Sequence, residues 1–96
     1  DRQSAREAAS EPEWGKAAVA AKMFLSKYLG DTLENILPIS EDTVVRDASD
    51  STHWNVSVVA EYRDKKGRLA KSQFLISLHH EGGNWRMDST PLEIPR

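Results

Sequence analysis

From Trp54 to Tyr62 the chain alternates: Trp54, Val56, Val58, Ala60 and Tyr62 share one parity, while Asn55, Ser57 and Glu61 share the other. A period of two describes a strand with one buried face, because successive side chains of a strand point to opposite sides. Ala70, Phe74, Ile76 and Leu78 form a second run of even parity. Two strands that both bury even positions pair only where even residues stand opposite even residues. The segment Asp64-Lys65-Lys66-Gly67-Arg68 supplies that register as a three-residue connection with Gly67 in the left-handed position. It sets Tyr62 opposite Ala70, Val58 opposite Phe74, Val56 opposite Ile76 and Trp54 opposite Leu78. On the other face Glu61 meets Lys71, a favourable charge pair. The following run buries odd residues, Trp85 and Met87, and Gly82-Gly83 as a two-residue mirror-image turn converts the parity as required. His80 then faces Trp85, and Leu78 faces Met87. Turn chemistry and apolar pattern agree independently, and that agreement predicts an antiparallel meander.

Upstream the period changes to that of a helix. Ser10-Glu11-Pro12-Glu13 has the form of a capping box with proline in the first turn. Trp14, Ala17, Ala18, Ala21, Leu25, Tyr28 and Leu29 recur at helical spacing with Phe24 widening the stripe, and Gly30 closes it. The spacing predicts a helix over about residues 11–29. Residues 1–9 lack an apolar face and read as a flexible extension or linker remnant, leaving 10–96 as a single domain. Asp31 to Leu37 reads as a turn of helix or a loop ended by Pro38, Thr43 to Asp47 as a short strand, and Asp47 to Thr52 as a polar loop. The predicted class is α+β: one long N-terminal helix packed on an antiparallel meander of three to four strands.

The registers also lay out the opposite face of the sheet. Its rows are His53, His79, Arg86; then Asn55, Ser77, Asp88; then Ser57, Leu75, Thr90, with Val59 and Leu69 pointing the same way. His53 and His79 come out as direct cross-strand neighbours, close enough to share a divalent ion. The row offers no third ligand, because Arg86 takes the adjoining place, so neither a metal site nor a cofactor is expected. His79 and His80 point to opposite faces, and His80 is expected to pack on Trp85. Ser77, His79 and Asp88 have the composition of a hydrolase triad. A nucleophile in mid-strand lacks the strained turn and the amide cluster that hold an oxyanion, so no catalytic residue is assigned.

Of the 96 residues, 13 are Lys or Arg and 15 Asp or Glu, a net charge of -2 that provides no field for phosphates and argues against nucleic acid as a partner. Zero cysteines exclude disulfides, thiolate ligands and thiol nucleophiles. The longest apolar run, Ala17 to Leu25, is broken by Lys22 and falls short of the roughly 18 residues that a membrane span requires. No membrane insertion by this segment is expected. Glu11, Glu13, Asp31, Glu34, Glu41 and Asp42 sit where helix starts favour negative charge, Lys65, Lys66 and Arg68 make a basic hairpin tip, and Trp14, Trp54 and Trp85 belong to the core. Beginning with Asp1, the chain reads as a processed form or a piece of something longer.

A long helix followed by a meander curling over it resembles cystatin-like and nuclear-transport-factor-like folds. Thr52-His53-Trp54-Asn55-Val56-Ser57-Val58, a glycine hairpin and Gly82-Gly83-Asn84-Trp85-Arg86-Met87 are also similar to small helix-plus-sheet domains of bacterial secreted or membrane-anchored proteins. Protease-inhibiting cystatins carry Gln-x-Val-x-Gly and Pro-Trp in their hairpins. Here Asp64-Lys65-Lys66-Gly67 and Asn84-Trp85 stand in those places, which speaks against that activity. The expected function is a non-catalytic binding or assembly domain, the soluble part of a larger or membrane-anchored bacterial protein; no compartment is fixed by the sequence, and an extracytoplasmic one, periplasmic or secreted, is favoured over the others. Its partner would be another protein or a second copy, met through the outer sheet face (His53, Asn55, Ser57, Val59, Leu75, Ser77, His79, Arg86, Asp88) or the edge of the Thr43 to Asp47 strand. The alternative is a small-ligand or enzymatic domain with a pocket between helix and sheet.

Overall fold

The computed structural model describes residues 13–95. The extension expected over residues 1–9 and the capping Ser10 lie outside the described residues. Helix α1 runs Glu13–Leu29. Six strands follow: β1 Leu33–Ile36, β2 Val44–Arg46, β3 His53–Arg63, β4 Leu69–Glu81, β5 Asn84–Met87 and β6 Leu92–Pro95. β3 and β4 form the centre of one antiparallel sheet. β1 and β2 share the outer side of β3, and β5 and β6 share the outer side of β4. Each flank is therefore one strand broken in two.

The central register is the one that the alternation requires. Trp54 faces Leu78, Val56 faces Ile76, Val58 faces Phe74, Tyr62 faces Ala70 and Glu61 faces Lys71. Gly67 turns the first hairpin at φ +76°, and Gly82 and Gly83 turn the second at +59° and +82°, backbone that a side chain would strain. β5 then sets His80 against Trp85 and Leu78 against Met87.

Even-numbered residues of β3 and β4 make the core with α1. Trp54, Val56, Val58, Ala60, Phe74, Ile76 and Leu78 are buried, and from the helix so are Ala17, Ala18, Ala20, Ala21 and Leu25. Four alanines bring the helix backbone close to the sheet, and Leu25 fills the contact. Trp14, Phe24, Leu29 and Trp85 pack partly buried around this centre. Tyr28, expected in the buried stripe, is exposed, while its neighbour Leu29 keeps the contact with the core. At the start of α1, Glu13 pairs with Arg46 at 2.6 Å. The Arg46 guanidinium lies 4.8 Å above the Trp54 ring and so closes that side of the core. Among the described residues Ser72 is the buried polar one; its hydroxyl donates to Glu93 at 2.7 Å and lies 3.2 Å from the Tyr62 hydroxyl.

The flanks of the sheet depart from the sequence expectations. Residues 33–36 form a strand instead of a helical turn: a short 3-10 turn over Gly30–Thr32 ends at Leu33, which turns extended and pairs with Tyr62. Glu34 accordingly sits on a strand, paired with Arg63 at 2.9 Å, and does not cap a helix. The architecture is the expected α+β one, a long helix packed on an antiparallel sheet; the broken flanks bring that sheet to six strands, and Leu92 instead of Thr90 stands opposite Leu75. The chain leaves the sheet after Asp88 and re-enters at Leu92 two residues further along, a shift that keeps the parity and puts Leu92 and Ile94 on the outer face.

Candidate functional site

The helix covers one face of the sheet, and the other face carries all nine side chains singled out from the sequence. At its upper end five of them converge. His53 and His79 are cross-strand partners whose rings stack at 4.8 Å between centroids, 17° from parallel. His53 Nε2 lies 2.6 Å from Ser77 Oγ. Asp88 continues the ladder beyond β5 through its amide, which donates to the Ser77 carbonyl at 2.9 Å. Its carboxylate reaches across the row, with Oδ2 2.5 Å from His79 Nδ1 and 3.3 Å from Ser77 Oγ. Arg86 lies over the far oxygen, with its Nε 3.6 Å from Asp88 Oδ1.

Two further carboxylates, not named as site residues by the sequence reading, come from the loop between β2 and β3. This loop is a pair of consecutive Asx turns. Asp47 Oδ1 accepts from the Ser49 amide and hydroxyl, and Asp50 Oδ1 accepts from the Thr52 amide and hydroxyl. In each case Oδ1 folds the loop, and Oδ2 is left to face a histidine. Asp47 Oδ2 lies 3.2 Å from His53 Nδ1, and Asp50 Oδ2 lies 3.2 Å from His79 Nε2. The spacing Asp-x-Ser then Asp-x-Thr is the signal that could have found them, since it marks Asx turns whose second oxygens remain available.

These contacts set the charges. Hydrogen bonds from the Ser49 hydroxyl and amide, with a smaller part from His53, hold Asp47 down to about 2. Asp50 is lowered in the same way by Thr52 and then His79. Both ring nitrogens of His79 face carboxylate oxygens, which only accept, so only the imidazolium satisfies both. The Asp88 hydrogen bond accordingly raises His79 above its ordinary range, against partial burial. Burial pushes Asp88 up, but the hydrogen bond from His79, helped by Ser77 and Arg86, outweighs it and leaves the carboxyl low.

Asp47, His53 and Ser77 are connected in the order of a hydrolase triad, with His53 in the place the sequence reading gave to His79. Ser77 nevertheless stands in mid-strand opposite Asn55, with no strand-to-helix turn to expose it or present amides to an oxyanion. Donor atoms of His53, His79 and Asp88 all lie within 4.8 Å of one another, which makes these three the residues suited to hold a metal ion among those described.

Lower on the same face the character changes. Ser57 Oγ accepts from Gln73 Nε2 at 2.5 Å, Val59 is half-buried, and Leu75, Leu92 and Ile94 are exposed. A shallow depression of about 640 Å³ lies here, floored by Ser57, Val59 and Gln73 and walled by Pro38 and Ile94. On the helix side, a second cleft of about 550 Å³ opens between α1 and the second hairpin, with Val19, Met23, Phe24 and Trp85 inside and Lys16 and Lys27 among its lining residues. Trp85 is held there by His80, stacked on it at 4.3 Å. Among the described residues no helix is long and apolar enough to cross a membrane. Comparison with protein-family models, with curated proteins and with solved structures finds no match to this chain.

Proposed function

We propose that the protein is a non-catalytic binding domain that docks another protein against the outer face of its sheet. The observation that carries this reading is the apolar surface on the face away from the helix. Leu75, Leu92 and Ile94 are 39%, 60% and 40% exposed beside half-buried Val59. Gln73 lies between Val59 and Ile94, and Asn55 and the histidine cluster form a polar border; an apolar patch with such a border is the ordinary make-up of a protein interface. The mid-strand setting of Ser77 supports the absence of catalysis. The helix-on-sheet outline is compatible with a cystatin-like domain. We read the chain, from the bacterial secreted and anchored domains it resembles, as the extracytoplasmic part of a larger or membrane-anchored bacterial protein.

Photo-crosslinking tests the docking face. A benzophenone side chain at Leu92, compared with one at the equally exposed Met23 on the helix, should give protein adducts in native cells that are lost when Leu75→Ala and Val59→Ala are added. No adducts from Leu92, or adducts indifferent to those two substitutions, would overturn the reading. The cleft along α1 supports a second one, a pocket for an apolar ligand with an anionic end, given its apolar interior and two lysines. Met23 adducts with a small molecule in place of protein would favour it.

A further inference from the structure

We propose that His53, His79 and Asp88 form a binding site for a divalent transition-metal ion of the zinc class. The division of labour on each imidazole carries this inference. His53 points Nδ1 at Asp47 Oδ2, 3.2 Å away, and turns Nε2 inward; His79 points Nε2 at Asp50 Oδ2, also 3.2 Å away, and turns Nδ1 inward. Both inward nitrogens face the same atom, Asp88 Oδ2, His79 Nδ1 at 2.5 Å and His53 Nε2 at 3.8 Å, and Ser77 Oγ stands between them, 2.6 Å from His53 Nε2 and 3.3 Å from Asp88 Oδ2. Metal-bound histidines characteristically donate their outer N–H to a carboxylate, which fixes the tautomer and strengthens the ligand. Here both outer carboxylates are in place and are themselves fixed by Asx turns.

Spacing and charge agree with this assignment. Zinc bonds of about 2.0–2.2 Å in a tetrahedron put ligand atoms about 3.3–3.6 Å apart; the donor atoms of the three residues already lie within 4.8 Å of one another, and those around Asp88 Oδ2 within 2.5–3.8 Å, so small side-chain shifts close the set. Asp47, Asp50 and Asp88 against Arg86 leave two negative charges in excess when the imidazoles are neutral, and one divalent ion cancels them. Arg86 does not block the ion, because its guanidinium lies on Oδ1 of Asp88 and the histidines lie on Oδ2. Two imidazoles and a carboxylate, with a position left for water or the Ser77 hydroxyl, suit zinc and its neighbours better than calcium or magnesium. The rings stack 17° from parallel, so binding reorients them; it releases the His79 Nδ1 proton to solvent and replaces the His79–Asp88 and His53–Ser77 hydrogen bonds with three metal bonds.

The test is a titration of the 96-residue chain with zinc chloride at neutral pH, followed through the imidazole nitrogen signals. The expected result is saturation at one ion per chain, with His53 Nε2 and His79 Nδ1 shifting while His80 stays in place. Asp88→Ala should weaken binding at least tenfold. Asp50→Asn, which never touches the ion, should weaken it by about 10- to 100-fold. Absence of saturable binding up to millimolar zinc, shifts centred on His80, or unchanged affinity in Asp88→Ala would each overturn the proposal. The wild-type signals alone decide the matter if a variant fails to fold.

Discussion

Phe74 and Leu75 are chain neighbours of similar hydrophobicity on opposite faces, and truncating each in turn reads the sheet's parity directly. Phe74 is fully buried beneath α1, with its ring 5.9 Å edge-on to Tyr62, while Leu75 is 39% exposed. Phe74→Ala should cost about 3–5 kcal/mol, transfer loss plus the cavity that a close-packed interior cannot refill. A complete Leu burial is worth about 1.5–3 kcal/mol and Ala keeps part of it, so Leu75→Ala should cost about 1 kcal/mol or less. A domain of this size has about 4–12 kcal/mol in total, so the first change consumes much of the margin and the second does not. With a urea slope of about 1.2 kcal/mol per M, the midpoint should fall by about 2.5–4 M for Phe74→Ala and under about 1 M for Leu75→Ala. Tryptophan fluorescence at low protein concentration measures both, since Trp54 is buried in the same core. A Phe74→Ala chain already unfolded in buffer is the same result at its limit. Equal midpoints, or a larger loss at Leu75, would refute the assignment of faces and with it the map of the outer surface.

Acid should unfold the protein partly through Asp47. Its carboxyl is lowered from 3.8 to about 2, so the stability it contributes is complete above pH 3.8 and is lost as the pH falls toward 2. Ser49→Ala removes the largest cause and should move that acid limb to higher pH; superimposable urea midpoints for the two proteins between pH 5 and 2 would contradict the assignment. Gly83→Ala, at φ +82° with open space around its Cβ position, should cost about 1–2 kcal/mol through backbone strain alone, and Gly83→Asn less. Thermal unfolding of the two variants checks the order.

What could be read in advance follows from how each feature is determined. Strand parity is a local property, and parity joined to two glycine turns leaves one register, so every predicted pair between His53 and Met87 appears in the sheet. The broken flanks were not readable in this way. Leu33 and Ile36, three apart after Asp31-Thr32, fit a helical turn as well as a strand, and only pairing with β3 decides between them. Leu92 and Ile94 are two apolar residues between Pro91 and Pro95, a pattern too short to show a period and prolines suppress a strand assignment. The histidine rows were legible for the same reason as the core. The approach of Asp47, Asp50 and the Asp88 carboxylate was not, because side-chain reach from a loop or an edge is set by tertiary hydrogen bonds and not by periodicity.

The breaks in both flanks affect how copies of the molecule can meet. The central strands run 11 and 13 residues, but the outermost pieces are only three or four residues each, with Pro38 and Pro91 in the gaps. An incoming extended chain would find a few backbone donors and acceptors, then a step, then a few more out of line. Such a border resists runaway stacking of sheets into fibrils, because no long row of unpaired backbone groups is on offer at either side.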